Sequence, residues 1–276
     1  MTAVVDARPV VSVPELQRAW RAVQAGKFRQ ESPTAAAHAP AIPGPPIWAP
    51  GTAEQVLPVV GCAGASGAST IALALASAAE SSARVLECRS GTTSGLAAAS
   101  TAELGLHPSG WRRGMRGDVL LERAGGLLTR VDEVPVPSQP DRPLALTVLD
   151  LGWDLPHVLD HPCWMGEQVR TAGVVVVVAR ATIPGLLHLE TTLSLLGRTR
   201  AVAAVLGSPC RRWSKAVRQS SGPITKALED SGRLTVIPPD SRLAAVGLDS
   251  RPLPRQLLAA AHDILELTGS AMRQAH

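Results

Sequence analysis

The 276-residue chain has no asparagine and no tyrosine, a single phenylalanine, Phe28, and three lysines, Lys27, Lys215 and Lys226. Residues with AT-rich codons are scarce, as in the product of a GC-rich gene. Such a bias exchanges Lys for Arg, so a site where Ala stands for Lys has another cause. The four cysteines, Cys62, Cys88, Cys163 and Cys210, are scattered without a C-x-x-C, which argues against a disulfide framework or a zinc module. No apolar segment opens the chain, and its longest apolar run, Gly173 to Ala179, is far too short to cross a bilayer. These absences predict a cytoplasmic protein with no membrane insertion. The 45% hydrophobic and 18% charged composition is that of a globular protein able to bury a real core. A net charge of +4 permits acidic partners without requiring them.

The chain divides by composition. Over 1–30, Ser12-Val13-Pro14-Glu15 has the form of a capping box with Pro in the first turn, and Val13, Leu16, Trp20 and Val23 recur at helical spacing until Gly26. This predicts a short amphipathic helix. Its apolar side, Leu16, Trp20 and Val23, either docks a partner or packs back on its own domain. Residues 31–52 are rich in Pro and Ala and read as a semi-rigid linker. From 53 to 270 short apolar runs alternate with helical stretches, the pattern of βαβ units around a mostly parallel sheet flanked by helices. Strands are predicted near Leu57–Val60, Arg84–Glu87, Leu127–Arg130, Leu144–Asp150, Val174–Ala179, Ala201–Leu206 and Leu234–Ile237. Helices are predicted near Ser69–Ala79, Gly185–Gly197, Trp213–Asp230 and Pro254–Thr268.

Between the first of these strands and its helix lies Gly61-Cys-Ala-Gly64-Ala65-Ser66-Gly67-Ala68-Ser69-Thr70. In the phosphate-binding pattern G-x-x-x-x-G-K-[ST], backbone N–H groups wrap the phosphates, the Lys reaches the terminal ones and the hydroxyl holds Mg²⁺. Gly67, Ser69 and Thr70 keep that pattern, while Ala68 occupies the lysine position. An ordinary strand-to-helix turn explains the loop alone equally well. Further along, Leu144 to Asp150 is an apolar strand ending in Asp150-Leu-Gly152, where an Asp across from such a loop orients Mg²⁺ or its water and the Gly amide meets the last phosphate.

With these pieces in this order, residues 55 to 268 resemble the MinD/ParA group of deviant phosphate-loop ATPases. Gly64 to Thr70 is similar to the group's G-G-x-G-K-[ST]-[ST], Asp150-Leu-Gly152 to its second switch, and Ile237-Pro-Pro-Asp240 with Arg251-Pro-Leu-Pro254 to its late I-P-x-D…P-L stretch. Within the group the loop looks most like the pilus- and secretion-localising CpaE/TadZ branch. The resemblance implies a three-layer α/β fold and a nucleotide site formed by Gly64, Ala65, Ser66, Gly67, Ala68, Ser69, Thr70 and Gly152, with ATP or ADP and Mg²⁺ on Ser69 and Asp150. It also implies a homodimer.

Departures from the group bear on mechanism. Its second lysine, which crosses a dimer, would fall at Ala63, and the Asp of the first switch falls near Glu87-Cys88-Arg89. Glu87 and Asp150 are therefore the candidate catalytic carboxylates, and Arg89 a candidate cation. Charge aimed at a transferring phosphoryl group is worth factors on the order of a thousand, so two missing lysines predict absent or very slow hydrolysis. The expected function is a pseudo-ATPase scaffold that helps position or assemble a pilus- or secretion-type machine. The alternative is a partition or conjugative-transfer protein that binds DNA non-specifically through Arg198, Arg200, Arg211, Arg212, Lys215 and Arg218. Arg112, Arg113 and Arg116 beside Trp111 form a second basic group, predicted to flank a turn. Either group also fits a solvated face.

Overall fold

The computed structural model describes residues 13–24, 47–197 and 200–273. Helix α1, Val13–Gln24, is a unit to itself, with Val13 and Trp20 exposed at 67% and 64%. Residues 1–12 and 25–46, which include most of the stretch read as a linker, lie outside the described residues, as does Arg198; the end of that stretch packs into the second unit, where Trp48 is buried against Trp164.

The second unit is built on one sheet of nine strands: β1 Gln55–Gly61, β2 Ala83–Glu87, β3 Ala102–Leu106, β4 Trp111–Arg116, β5 Val119–Ala124, β6 Leu146–Asp150, β7 Val175–Arg180, β8 Ala201–Leu206 and β9 Leu234–Ile237. Their order is β3-β4-β5-β2-β6-β1-β7-β8-β9. The seven strands from β5 to β9 run parallel, and β3 and β4 fold back antiparallel at one edge. Central strands such as β1 and β7 carry unbroken apolar runs, Val56–Val60 and Val175–Ala179, because both faces are covered there.

Helix α2, Ala68–Ala78, is a small-residue helix with Ile71, Leu73 and Leu75 buried, and it packs with α9, Arg255–Arg273, on one face. The other face is covered by α4, Trp164–Thr171, α5, Ile183–Leu196, and α7, Pro223–Asp230, through Trp164, Met165, Leu186, Leu189, Leu193 and Leu228. Three further short helices are α3, Leu155–Asp160, α6, Lys215–Gln219, and α8, Ser241–Val246. This is the expected three-layer α/β fold with a mostly parallel sheet. No helix among the described residues is long and apolar enough to cross a membrane.

Three local expectations are revised. Leu127–Arg130 is not a strand: Gly125-Gly126 interrupts the chain, Leu127 is 72% exposed, and the strand beside β2 is β5. Arg112, Arg113 and Arg116 all lie in β4, with Arg116 directly before the Gly117-Asp118 turn. Arg113 is buried against Glu122 of β5, with Nε to Oε1 2.8 Å, and Arg116 donates to the carbonyls of Ala99, Asp249 and Arg251. The single helix expected over Trp213–Asp230 is two, α6 and α7, broken at Gly222-Pro223. A Cβ at Gly222 would meet the Glu190 carboxylate, which instead accepts from the Ile224 and Thr225 N–H groups and caps α7.

Candidate functional site

Strand β1 sits where the strand order reverses, with β6 on one side and β7 on the other. In open parallel sheets the crevice for ligands opens at such a point, beyond the carboxyl ends of the strands. The loop from Cys62 to Gly67 occupies it. Cys62 N–H donates to the Val178 carbonyl at 2.9 Å, so the loop leaves β1 pinned to β7. Ala65 adopts φ 57°, a conformation unusual without glycine. Gly67 has φ 96°, and a Cβ there would stand 2.8 Å from Leu206 Cδ2, so this position requires glycine on two counts.

No side chain caps the N-terminus of α2, and no acidic residue occupies its first turn. The first N–H groups of a helix have no intrahelical partner and carry the positive end of its dipole. Here they face a cleft of about 380 Å³ that Ser69, Thr70, Asp150 and Gly152 also line.

Asp150 ends β6 directly beside β1 and is 1% exposed. One of its oxygens, Oδ2, is buried without a hydrogen-bond partner. Burial first, and the neighbouring Glu87 carboxylate second, push its pKa up to about 7, while the Ser69 hydroxyl and Arg89 act in the other direction. Glu87 is the register partner of Asp150 across β2 and β6. It is fully buried, and both of its oxygens are taken, one by the Ser94 hydroxyl and the other by the Gly95 N–H at 2.7 Å. Burial raises Glu87 as well, opposed by those two bonds and by Arg89. The structure thus brings Asp150, Gly152 and the loop together around the cleft, and places Glu87 behind it as an anchor for the Ser94-Gly95 turn.

The ends of β2 and β6 are tied to each other. Cys88 N–H donates to the Asp150 carbonyl at 2.9 Å, and the Trp153 indole donates to the Cys88 carbonyl at 2.6 Å. Gly152, at φ 63°, leaves its missing Cβ to Arg89, whose own Cβ lies 2.7 Å from that position. Arg89 is thereby wedged at the cleft wall, its Nε buried and unpartnered. From the opposite wall Arg180, the last residue of β7, donates from Nε to the Ala65 carbonyl at 2.8 Å. Arg180 escaped the sequence reading, although its place directly after the Val174–Ala179 run marks a strand's carboxyl end, where ligands sit.

A magnesium ion takes oxygen ligands, keeps several waters and uses one or two protein groups beside substrate phosphates. The Ser69 hydroxyl and the orphaned Asp150 oxygen fit that donor set. Asp240 of the Ile237-Pro-Pro-Asp240 stretch caps α8, its Oδ1 accepting from Leu243 N–H at 2.8 Å. Of the basic residues weighed for DNA, Arg200 donates to the carbonyls of Val169, Arg170 and Ala172, and Arg218 to that of Cys210. Arg211, Arg212 and Lys215 are exposed.

No family model matches the chain, and no curated protein matches it. Solved structures of similar outline include the cell-division ATPase MinD of Pyrococcus furiosus, 14% identical over 77% of this chain and 99% of that one, with a TM-score of 0.47. A plasmid partition protein of Borrelia burgdorferi bound to AMPPNP is 9% identical over 79% and 98%, also at 0.47. A nucleotide-binding protein of Archaeoglobus fulgidus in complex with ADP is 14% identical over 74% and 91%, at 0.43. At these identities neither ligand nor activity passes from those proteins to this chain.

Proposed function

We propose that this chain is a nucleotide-binding module of MinD/ParA-like design that works through occupancy of its site, with ATP hydrolysis absent or very slow. The observation that carries the reading is the uncapped N-terminus of α2 facing, across one cleft, a buried Asp150 carboxylate oxygen that has no partner. Helix N–H groups and loop amides bind phosphate oxygens. Ser69 and Asp150 would hold Mg²⁺, which neutralises phosphate charge. Hydrolysis has less support: the lysine positions carry Ala63 and Ala68, and Glu87 is spent on the Ser94-Gly95 turn.

Titration calorimetry of the full chain tests this. Mg-ATP and Mg-ADP are expected to bind in the micromolar range, with binding lost in Asp150→Ala or when Mg²⁺ is removed, and with no phosphate released over hours. Absence of binding at millimolar nucleotide, or rapid turnover, overturns the reading.

The exposure of Val13 and Trp20 on α1 supports a positioning or scaffolding role. In Trp20→Asp, nucleotide affinity is expected to stay at the wild-type level while self-association or partner binding falls. Equal loss of both would place α1 within the nucleotide domain instead. A salt-sensitive gel shift by wild type, abolished when Arg211, Arg212 and Lys215 are replaced together, would favour the DNA-associated alternative.

A further inference from the structure

The loop has lost both lysine positions, yet two guanidinium groups line the cleft it borders. We infer that Arg89 and Arg180 take the lysines' place, clamping a polyphosphate from the two walls with cations that belong to the same chain as the loop. The inference rests on the nucleotide reading and adds to it the groups that supply the positive charge.

Each arginine is held for the task by backbone. Arg180 reaches over the loop from the end of β7 and uses its Nε on the Ala65 carbonyl, and its terminal nitrogens have no other partner among the described residues. A guanidinium fixed through Nε presents its two remaining nitrogens as a fork, the geometry that matches phosphate oxygens. Arg89 is fixed from below, because Gly152 yields the space of its own side chain and the Trp153 indole locks the preceding carbonyl. No ion pair joins Arg89 to Glu87 or Asp150 among the described residues, and its Nε has no acceptor. One buried N–H of this half-buried side chain is thus left for an acceptor that the cleft could supply.

The chemistry differs from that of the lysine it replaces. A lysine at position 68 would rise from within the loop, beside the backbone amides. The two arginines approach from strand ends outside it. They raise affinity for a bound polyphosphate without restoring a cation inside the cradle, which agrees with binding outlasting hydrolysis. Since both arginines lie in one chain, affinity is expected to be independent of protein concentration.

The test is titration of the full-length chain with Mg-ATP and Mg-ADP at low and at moderate salt, for wild type, Arg89→Gln, Arg180→Gln, the double variant and Arg180→Lys. Each single Gln variant is expected to bind about tenfold more weakly, the double variant more weakly still and with a shallower salt dependence. Arg180→Lys, which keeps the charge but loses the fork and the bond from Nε to Ala65, is expected to bind between wild type and Arg180→Gln. If wild type binds and the double variant binds within about twofold of it, the assignment is overturned and the nucleotide reading stands. If Arg180→Lys binds as poorly as Arg180→Gln, Arg180 supports the loop and is not the cation. If wild type binds neither nucleotide, both readings fall.

Discussion

Strands β2 and β6 carry a polar row near each end, and the fold treats the two rows in opposite ways. Near the amino ends Arg84 lies beside Thr147, and near the carboxyl ends Glu87 lies beside Asp150. Arg84 is fully buried, yet its guanidinium bonds Thr147 Oγ1 at 2.7 Å, Glu54 at 2.9 Å, Glu122 at 3.0 Å and the Ser138 carbonyl at 3.1 Å, with the Trp48 ring 5.4 Å away. Arg113 completes the network from β4 on the other oxygen of Glu122. Buried charges are tolerated when paired and hydrogen-bonded in this way. Three residues further along β6 Asp150 Oδ2, and just past the end of β2 Arg89 Nε, have no hydrogen-bond partner among the described residues. A protein that satisfies one buried guanidinium four times over has the means to satisfy another. The gaps at the carboxyl ends lie where the proposed nucleotide reading puts its ligand, whereas the network at the amino ends is closed on itself.

Removing a member of each row separates the two. Glu122→Ala leaves the Arg84 and Arg113 guanidiniums buried with a partner missing, and is expected to cost about 3–5 kcal/mol in urea unfolding. A loss below about 1 kcal/mol would erase the distinction.

Asp150→Asn, without Mg²⁺ or nucleotide, is expected to do the reverse and stabilise the protein at pH 8. The sign follows from linkage. The folded carboxyl keeps its proton up to about pH 7, whereas in the unfolded chain it gives the proton up near 3.8. Between those values the folded state binds more protons, so this group's contribution to stability falls as pH rises across the window. Replacement by a neutral amide removes that slope, with a gain of roughly 2–4 kcal/mol above pH 7. Thermal melts from pH 4 to 8 check it, and an unchanged slope refutes it.

The loop offers a smaller contrast. Gly67→Ala meets both a positive φ and Leu206 and is expected to cost about 1–3 kcal/mol. Gly64→Ala, with nothing within 4 Å of the new Cβ, is expected to fall within about 0.5 kcal/mol of wild type. Equal melts for the two would show that the loop is not held as described. The smallest effect concerns Cys62, whose thiol burial pushes up to about 11, against the influence of Thr192. Alkylation at pH 8 is expected to be far slower than for an unfolded control, since the thiolate is the reactive form. Modification at the unfolded rate would refute that upward shift.

Much of the architecture was legible because parallel strands covered on both faces read as unbroken apolar runs. Leu57–Val60 and Val174–Ala179 announce themselves, and the Ala/Leu pattern after Ser69 gives α2. The β3–β5 meander was hidden by its arginines. Arg113 looks like surface in a linear reading, and only Glu122, brought alongside in β5, makes its burial affordable. Asp150 and the loop could be found from spacing, whereas the engagement of Glu87 by Ser94 and Gly95 depends on how a turn folds over the strand end.

The sequence by itself determined the α/β alternation, the glycine-bearing loop ahead of α2, and the absence of lysine at Ala63 and Ala68, because these are properties of residue type and local spacing. Tertiary structure alone decided which charges are satisfied. Whether a guanidinium or carboxylate finds a partner depends on chain segments far apart in sequence meeting within about 3 Å, as Arg84 does with Glu122 and as Arg180 does with Ala65.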